Sequence, residues 1–375
     1  MLDKAKNKGE PKPYLRNLNV RWFEFDLSDV LEMPFLPTEV EKYTAVKGDV
    51  LICEGGYPGR AAIWGKDEPI YFQKALHRVR FHEPERNRWF LYYLLSKDLD
   101  GTLKNHFNGA GIQHFTGEAL AQFEVPLPPL AEQQRIVGLL DEAFEGLATA
   151  KANAEKNLQN ARALFESHLQ AVLRNKKWKW KTLGDLCNDV EYGSSAKSKA
   201  KAAGGVPVLR MGNIQDGRLD WGNLVYTDDK AEIKKYLLKH NDVLFNRTNS
   251  PELVGKTAIY KGEMPAIFAG YLIRIHRKED LLDADFLTYF LNSQIAFDHG
   301  KTVVISSVNQ ANINGTKLKS YPIPAPPLAE QKAIVEELDA LSAETQRLAS
   351  LYERKLAALE ALKKALLHQA FAGEL

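Results

Sequence analysis

The chain has 375 residues, 45% of them hydrophobic and 26% charged, and 50 Lys and Arg against 48 Asp and Glu leave a formal charge of +2. That length exceeds one ordinary core and suits two or more domains of a globular protein, which excludes a disordered or fibrous chain. Cys53 and Cys187 have no metal-ligand spacing and offer no disulfide framework, Met1-Leu2-Asp3-Lys4 lacks the apolar core of a signal peptide, and no stretch reaches the roughly 18 apolar residues of a membrane span. A cytoplasmic protein without membrane contact is expected.

In chain order, Lys47-Gly48-Asp49-Val50-Leu51-Ile52 reads as a turn entering a short apolar strand, and Ala61-Ala62-Ile63-Trp64 as another. Between them lies the polar loop Cys53-Glu54-Gly55-Gly56-Tyr57-Pro58-Gly59-Arg60. Next comes Pro126-Leu127-Pro128-Pro129-Leu130-Ala131-Glu132-Gln133, whose prolines block helix and hold the chain extended before a long proline-free segment. Apolar residues then recur at Ile136, Leu140, Ala143, Leu147, Ala150 and Ala154 and, after a four-residue stutter, at Leu158, Ala161, Phe165, Leu169 and Val172. Such four-three spacing marks a coiled-coil stripe.

The basic run Arg174, Lys176, Lys177, Lys179 and Lys181 opens a second globular segment. That segment repeats the first. Pro207-Val208-Leu209-Arg210 and Asn213-Ile214 answer Pro13-Tyr14-Leu15-Arg16 and Asn19-Val20; His240-Asn241-Asp242-Val243-Leu244-Phe245 answers residues 47–52; Gly255-Lys256-Thr257-Ala258-Ile259-Tyr260 answers residues 59–64. Phe286-Leu287, Tyr289 and Leu291 answer Phe90-Leu91, Tyr93 and Leu95, and Gly315 answers Gly117. A second lead-in, Pro326-Pro327-Leu328-Ala329-Glu330-Gln331, stands 198 residues after the first and launches a second stripe through Ile334, Leu338, Leu341, Thr345, Leu348, Tyr352, Leu359, Leu362 and Leu366.

The order is constant and the offset drifts only from 193 to 198, so the chain is an internal duplication. Each long helix should run to about 45 residues, or about 65 Å. A stripe of that length cannot be buried by its own helix. Mutual packing of the two helices is expected, with small Ala143, Ala150, Ala154 and Ala161 allowing close approach. The architecture read from sequence is therefore α+β: two duplicated mixed-β domains with short helices, at 1–128 and 176–326, separated by two long antiparallel coiled-coil helices at 129–175 and 327–375.

The Pro-Pro-Leu-Ala-Glu-Gln lead-ins, the long helices behind them, the Asn-Asp-Val-Leu strand with its polar loop, and the closing Leu366-Leu367-His368-Gln369-Ala370-Phe371-Ala372-Gly373-Glu374-Leu375 resemble the specificity (S) subunit of Type I restriction-modification systems. The resemblance spans nearly the whole chain. It implies a non-catalytic DNA-binding subunit of an endonuclease and adenine-N6 methyltransferase complex. Each of two target-recognition domains would read half of a bipartite, asymmetric double-stranded DNA site. It also implies methyltransferase (M) partners, two of them expected, and endonuclease-translocase (R) partners, with S-adenosylmethionine, ATP and Mg bound there and no cofactor or metal in this chain. The second unit begins at Trp178-Lys179-Trp180-Lys181-Thr182-Leu183, and the duplication would put the counterpart of Trp178 ahead of residue 1, so an N-terminally incomplete first domain is expected. Alternatives are an orphan or truncated recognition and assembly subunit, and the specificity subunit of a two-protein system whose partner both methylates and cleaves.

Reading DNA needs cations for phosphates and forked hydrogen-bonders for base edges. Asn246, Arg247, Thr248, Asn249 and Ser250 supply both in one loop: Arg can grip guanine O6 and N7, Asn adenine N6 and N7. Tyr192, Ser194, Ser195, Lys197 and Lys199 form a second candidate loop, and Ser306, Ser307, Asn309 and Gln310 a third, aligned with Gly109, Gly111 and Gln113. Arg210 and Asn213 recur as Arg16 and Asn19, either for a DNA-backbone contact or for a bond within the fold. In the first domain the candidates are Tyr57, Arg60, Gln73, Lys74 and His77. Catalysis finds no support: the Pro128-Pro129 and Pro326-Pro327 pairs lead into helices rather than an adenine-methyltransferase motif, no P-loop lysine motif occurs, and His77, His82 and His106 lack ligand spacing.

Overall fold

The computed structural model describes residues 10–200, 205–307 and 310–375. Two compact units result, one holding the residues up to Lys156 with Tyr352–Leu375, the other Asn157–Leu351. This differs from the four-segment division read from sequence. Each long helix gives one part to each unit: Ile136, Leu140, Leu367 and Ala370 join one globular core and Leu169, Leu173, Ile334 and Leu338 another, while Ala154, Ala161 and Thr345 are buried on the helices between them.

In the first unit Glu10–Leu15 lies between Leu31–Phe35, antiparallel, and Ile70–Phe72, parallel. A second sheet orders Ala61–Ile63, Val50–Cys53 and Leu76–Val79, all antiparallel. Val50–Cys53 is buried at every residue, as expected of a continuous apolar run covered on both faces. One cover is the helix Asn87–Leu99, which sets Phe90, Leu91 and Leu94 against Val50, Ile52 and Ala61. Its other side carries Trp89, Tyr92 and Leu95 to Ile136, Leu140, Leu367 and Ala370 of the long helices. Apolar on both faces from Trp89 to Leu95, it sits between two cores.

The second unit repeats the plan. Val206–Leu209 lies between Val225–Thr227, antiparallel, and Ile267–Phe268, parallel. The second sheet orders Thr257–Tyr260, Asp242–Asn246, Leu272–Arg277 and Cys187–Tyr192, among the described residues one strand more than its counterpart. The helix Ala284–Leu291 packs Phe286, Leu287 and Phe290 into a core with Phe245, Ile273, Leu169, Leu173, Ile334 and Leu338. Gly59 (φ +85°) and Gly255 (φ +97°) close the polar loops of the two units in the left-handed region, each donating its N–H to the last residue of the strand before, Cys53 at 2.9 Å and Asn246 at 2.8 Å. Five residues separate Cys53 from Gly59, and eight separate Asn246 from Gly255. The scaffold repeats while the loop changes length.

The long helices span Leu130–Leu173 and Leu328–Ala372. Both start where a buried glutamine folds back on its proline lead-in: Gln133 Nε2 donates to Pro128 O at 2.7 Å, and Gln331 Nε2 to Pro326 O at 2.9 Å and Leu281 O at 2.8 Å. Within the first unit they run antiparallel, Arg135 donating to Leu375 O at 2.7 Å and Lys151 pairing with Glu360 at 2.8 Å. Within the second, His168 meets Glu337 at 2.8 Å. Ile136, Leu140, Ala154, Ala161, Ile334 and Leu338 of the expected seam are buried, and Leu147, Leu158, Phe165, Leu341, Leu348 and Leu359 half-buried.

Leu362 is a correction: it is 47% exposed. A four-three stripe continued from Tyr352 runs through Leu356, Leu359, Lys363 and Leu366, so Lys363 takes the inward place. Its ammonium lies 5.1 Å from the Phe144 ring centre, and burial pushes its pKa down. Leu338→Ala should therefore cost the second unit about 2–5 kcal/mol, whereas Leu362→Ala should change stability by no more than about 0.5 kcal/mol. Urea unfolding followed by tryptophan fluorescence measures both.

Candidate nucleic-acid interface

In the second unit the two expected loops meet on one small sheet. Thr248–Asn249 pairs with Gln310–Asn312, which pairs with Ile305–Ser307. Ser306, Ser307 and Gln310 are thus strand residues of a hairpin beside the 246–250 loop, and Asn309 lies outside the described residues. The Ile313 N–H donates to Arg247 O at 2.9 Å and locks the hairpin to the loop.

Arg247 is the hub. Its guanidinium lies 4.9 Å from the Tyr192 ring centre, and it donates to Gly270 O at 3.3 Å and to Asn312 Oδ1 at 3.2 Å. Asn312 donates in turn to Thr248 Oγ1 at 2.8 Å. Tyr192 accepts the Gly315 N–H at 2.7 Å, which draws a third segment to the cluster. So Tyr192, Arg247, Thr248 and the 305–312 hairpin are brought together. Asn249 and Ser250 are half-buried on its margin, Asn249 Oδ1 accepting the Ser250 N–H at 2.9 Å. Asn246 is fully buried: its Nδ2 donates to Leu253 O at 3.3 Å, and its Oδ1 and Arg247 Nε have no hydrogen-bond partner among the described residues. Asn246 shapes the loop from beneath and presents no edge outward.

The chain leaves Cys187–Tyr192 through Gly193, where any Cβ would collide with the Phe268 carbonyl. Ser194 is buried and bonds Glu232, while Ser195 and Lys197 are exposed. Lys199 is exposed but paired with Asp228 at 2.9 Å, and its hydrogen bond lowers the Asp228 pKa. The basic run 174–181 flanks a groove of about 430 Å³ lined by Lys177, Trp178, Lys179, Lys181 and Pro327, where Trp178 donates to Glu330 at 2.9 Å.

Arg16 and Asn19 repeat Arg210 and Asn213 bond for bond. Asn19 Oδ1 accepts the Arg16 N–H at 2.9 Å while its Nδ2 donates to Asp26 O at 2.9 Å and Asp29 O at 3.0 Å. Asn213 accepts from Arg210 at 2.9 Å and donates to Asp220 O at 2.9 Å and Asn223 O at 3.2 Å. Both asparagines are 2% exposed, so of the two roles open in the sequence they serve the bond within the fold. Arg16 salt-bridges Asp29 at 2.6 Å, and Arg210 donates to Asn223 O at 3.3 Å.

The first unit assembles its loops likewise, the Phe115 N–H donating to Glu54 O at 2.8 Å as Ile313 does to Arg247. Arg60 stacks 4.8 Å from the centre of the exposed Tyr57 ring and donates to Asn17 O at 3.1 Å. His77 Nε2 is 2.8 Å from Phe115 O, Gln73 is half-buried beside the loop and Lys74 exposed. Sequence reasoning missed Asn312, which bridges Arg247 and Thr248, and Tyr271, 48% exposed, whose carbonyl accepts the Arg247 N–H at 3.0 Å. Asn312 sits two residues past a candidate in the same hairpin; Tyr271 carries no local signal. Among the described residues no group of three His, Cys, Asp or Glu could hold a metal ion.

Two copies of one scaffold presenting different polar loops define a protein built to display two binding surfaces. Its sequence matches the family described as Type I restriction modification DNA specificity domain over residues 22–158 and 175–353, and the chain belongs to that family. It is 26% identical over 390 aligned positions to the StySPI specificity subunit of Salmonella potsdam, covering 97% of this chain and 82% of that one. To the MjaX specificity subunit of Methanocaldococcus jannaschii it is 31% identical over 197 residues, 52% of this chain, and that match spans less than half, 45%, of the relative. A chain solved in work on the assembly and conformational transition of a type I R-M system superimposes with a TM-score of 0.77 at 20% identity, covering 100% of this chain and 94% of that one, which establishes a shared fold.

Asn213→Ala leaves three backbone groups without their partner and should destabilise the second unit by about 1–3 kcal/mol, with Asn19→Ala doing the same to the first. Asn249→Ala, on the loop margin, should stay within about 0.5 kcal/mol. Thermal denaturation of the three variants separates brace from display.

Proposed function

We propose that this chain is the sequence-specific DNA-recognition subunit of a Type I restriction-modification complex. It reads a bipartite asymmetric site, one half per unit, and positions methyltransferase and endonuclease subunits on it. The observation that carries the reading is the repetition of one scaffold with two different polar loop clusters, in a chain of the DNA specificity family. A repeated frame with unlike loops suits a protein that must read two unlike half-sites.

In this reading Tyr192, Asn249, Ser250, Ser306, Ser307, Asn309 and Gln310 face DNA in the second unit, with Lys197 and Lys199 on phosphates. Lys199 exchanges Asp228 for a phosphate as it binds. Arg247 holds the loop and the hairpin in register, its planar fork stacked on Tyr192 and poised to move onto a guanine edge. Tyr57, Arg60, Gln73, Lys74 and His77 form the corresponding surface of the first unit. The chain performs no chemistry. S-adenosylmethionine, ATP and Mg belong to the M and R partners, two M subunits being the number that two half-sites call for, and the complex acts in the cytoplasm. No described helix is long and apolar enough to cross a membrane.

The test is methylation-site mapping by long-read sequencing in cells expressing this chain with a cognate M subunit, against M alone. A split adenine-methylated motif that depends on the chain is the expected outcome; an unchanged methylome with an M subunit competent on another specificity subunit refutes the reading. In binding assays, Lys197→Ala should weaken all sequences alike and reduce the slope of log affinity on log salt by about 1, whereas Asn249→Ala should cost about 1–3 kcal/mol on the cognate half-site only.

A further inference from the structure

The polar hub of the second unit has two apolar neighbours. Arg247 spreads its fork between two anchors, Nη1 on Gly270 O at 3.3 Å and Nη2 on Asn312 Oδ1 at 3.2 Å. Tyr271 directly follows the first anchor, and Ile305 stands opposite the second in the hairpin. Both are exposed, by 48% and 53%.

Their backbones are fixed. The turn carrying Tyr271 is held by the Ala269 N–H on Leu209 O at 2.8 Å, the Gly270 N–H on Ser194 O at 2.7 Å and the Leu272 N–H on Ala269 O at 2.9 Å, while Tyr271 O takes the Arg247 N–H at 3.0 Å. Ile305 ends the row Thr248, Asn312, Ile305 across the small sheet, and residues directly opposite one another share a face. Asn312 uses that face to donate to Thr248 Oγ1 at 2.8 Å, which sets Ile305 beside the side chain that grips Arg247.

The first unit builds the same frame without either residue. There the Glu54 N–H donates to Ala75 O at 3.0 Å, as Arg247 does to Tyr271, and Asn108 pairs with His114 as Ile305 does with Asn312. Ala75 and Asn108 thus hold the places of Tyr271 and Ile305. An exposed apolar pair that one copy of the frame does without, and the other sets next to its arginine, serves what that copy binds.

We propose that Tyr271 and Ile305 form an apolar cleft beside Arg247 that receives the C5-methyl of a thymine adjoining the guanine read by that arginine. The inference rests on the DNA-recognition reading above. In the major groove the base edges present hydrogen-bond donors and acceptors and one apolar group, the thymine methyl. Exposed apolar side chains on a base-reading face have that group as their complement. By keeping water from the fork, the two side chains also strengthen its hydrogen bonds to guanine.

The experiment uses the full chain assembled with a cognate M subunit and duplexes bearing the mapped site. Each thymine is replaced in turn by uracil, which deletes the methyl and keeps the base pair. The expected result is a loss of about four-fold in affinity, the worth of one buried methyl-sized group, at a thymine next to a G·C pair. Exchanging Tyr271→Ala together with Ile305→Asn, which installs the first unit's residues, should weaken binding of the thymine duplex and abolish the difference between thymine and uracil there; either exchange alone should narrow it. Equal affinity for thymine and uracil at every position overturns the proposal, as does a mapped site with no A·T pair beside a G·C pair. So does a thymine–uracil difference that persists in the exchanged chain, or a loss of M binding with that difference intact, which would assign the patch to a protein contact. Affinity that ignores sequence altogether refutes the recognition reading itself, whereas specific binding indifferent to uracil removes this inference alone. The uracil series is read on the unaltered chain, so a misfolded variant does not blunt it.

Discussion

Two buried glutamines decide where the long helices begin, and the rest of the structure is hung from those points. Gln133 and Gln331 each follow a Pro-Pro-Leu-Ala-Glu sequence and turn the side-chain amide back onto the carbonyl five residues earlier. The prolines cannot donate hydrogen bonds or enter the helix interior, so without the glutamine the half-buried Pro128 and the buried Pro326 would lose the donor to their carbonyls. Gln331 does more: its Oε1 accepts the Asp283 N–H at 2.8 Å and its Nε2 also holds Leu281 O at 2.8 Å, tying the helix start to the cap of Ala284–Leu291. Gln133 Oε1 has no partner among the described residues, and its Nε2 holds Pro128 O alone, so the first joint lacks both of these ties.

A second repeated bond fixes how each globular core sits on its own helix. Tyr92 donates to Asp141 at 2.5 Å in the first unit, and Tyr289 to Asp339 at 2.5 Å in the second. Burial, and then the adjoining carboxylate, push both phenols up, so each stays a neutral donor. The sequence repeat aligns Tyr289 with Tyr93, one residue away from the tyrosine that makes the bond. Helix phase chose between them: Tyr93 turns instead to Phe123 and Phe371, at 5.7 and 5.1 Å between ring centres.

That displacement illustrates what could be read beforehand and what could not. The duplication, the two helices and the short central strands follow from patterns many residues long, where apolar period and proline placement all agree. The 246–250 loop and the 305–312 hairpin were legible as polar segments between strands. Their meeting through Arg247 and Asn312 was not, because it depends on a contact 65 positions apart in the chain. Asn213 shows the opposite difficulty: its residue type suits base reading as well as bracing, and only its burial among three backbone groups decides. Leu362 and Lys363 show the limit of the stripe itself, since positions three and four residues after Leu359 both fit a helical period and the partner helix selects one.

The sharing of each long helix between two cores bears on how the chain is made. The first unit closes around Trp89, Tyr92, Ile136 and Leu140 only when Leu367, Ala370 and Phe371 arrive. Those residues are translated more than 200 positions later. On the ribosome the unit synthesised first must therefore wait, its apolar seam uncovered, until synthesis has passed through the second unit, whose own core takes Ile334, Val335 and Leu338 from the start of the second helix. Translation order and order of completion are reversed, which makes the early-made half the one that chaperones must shield.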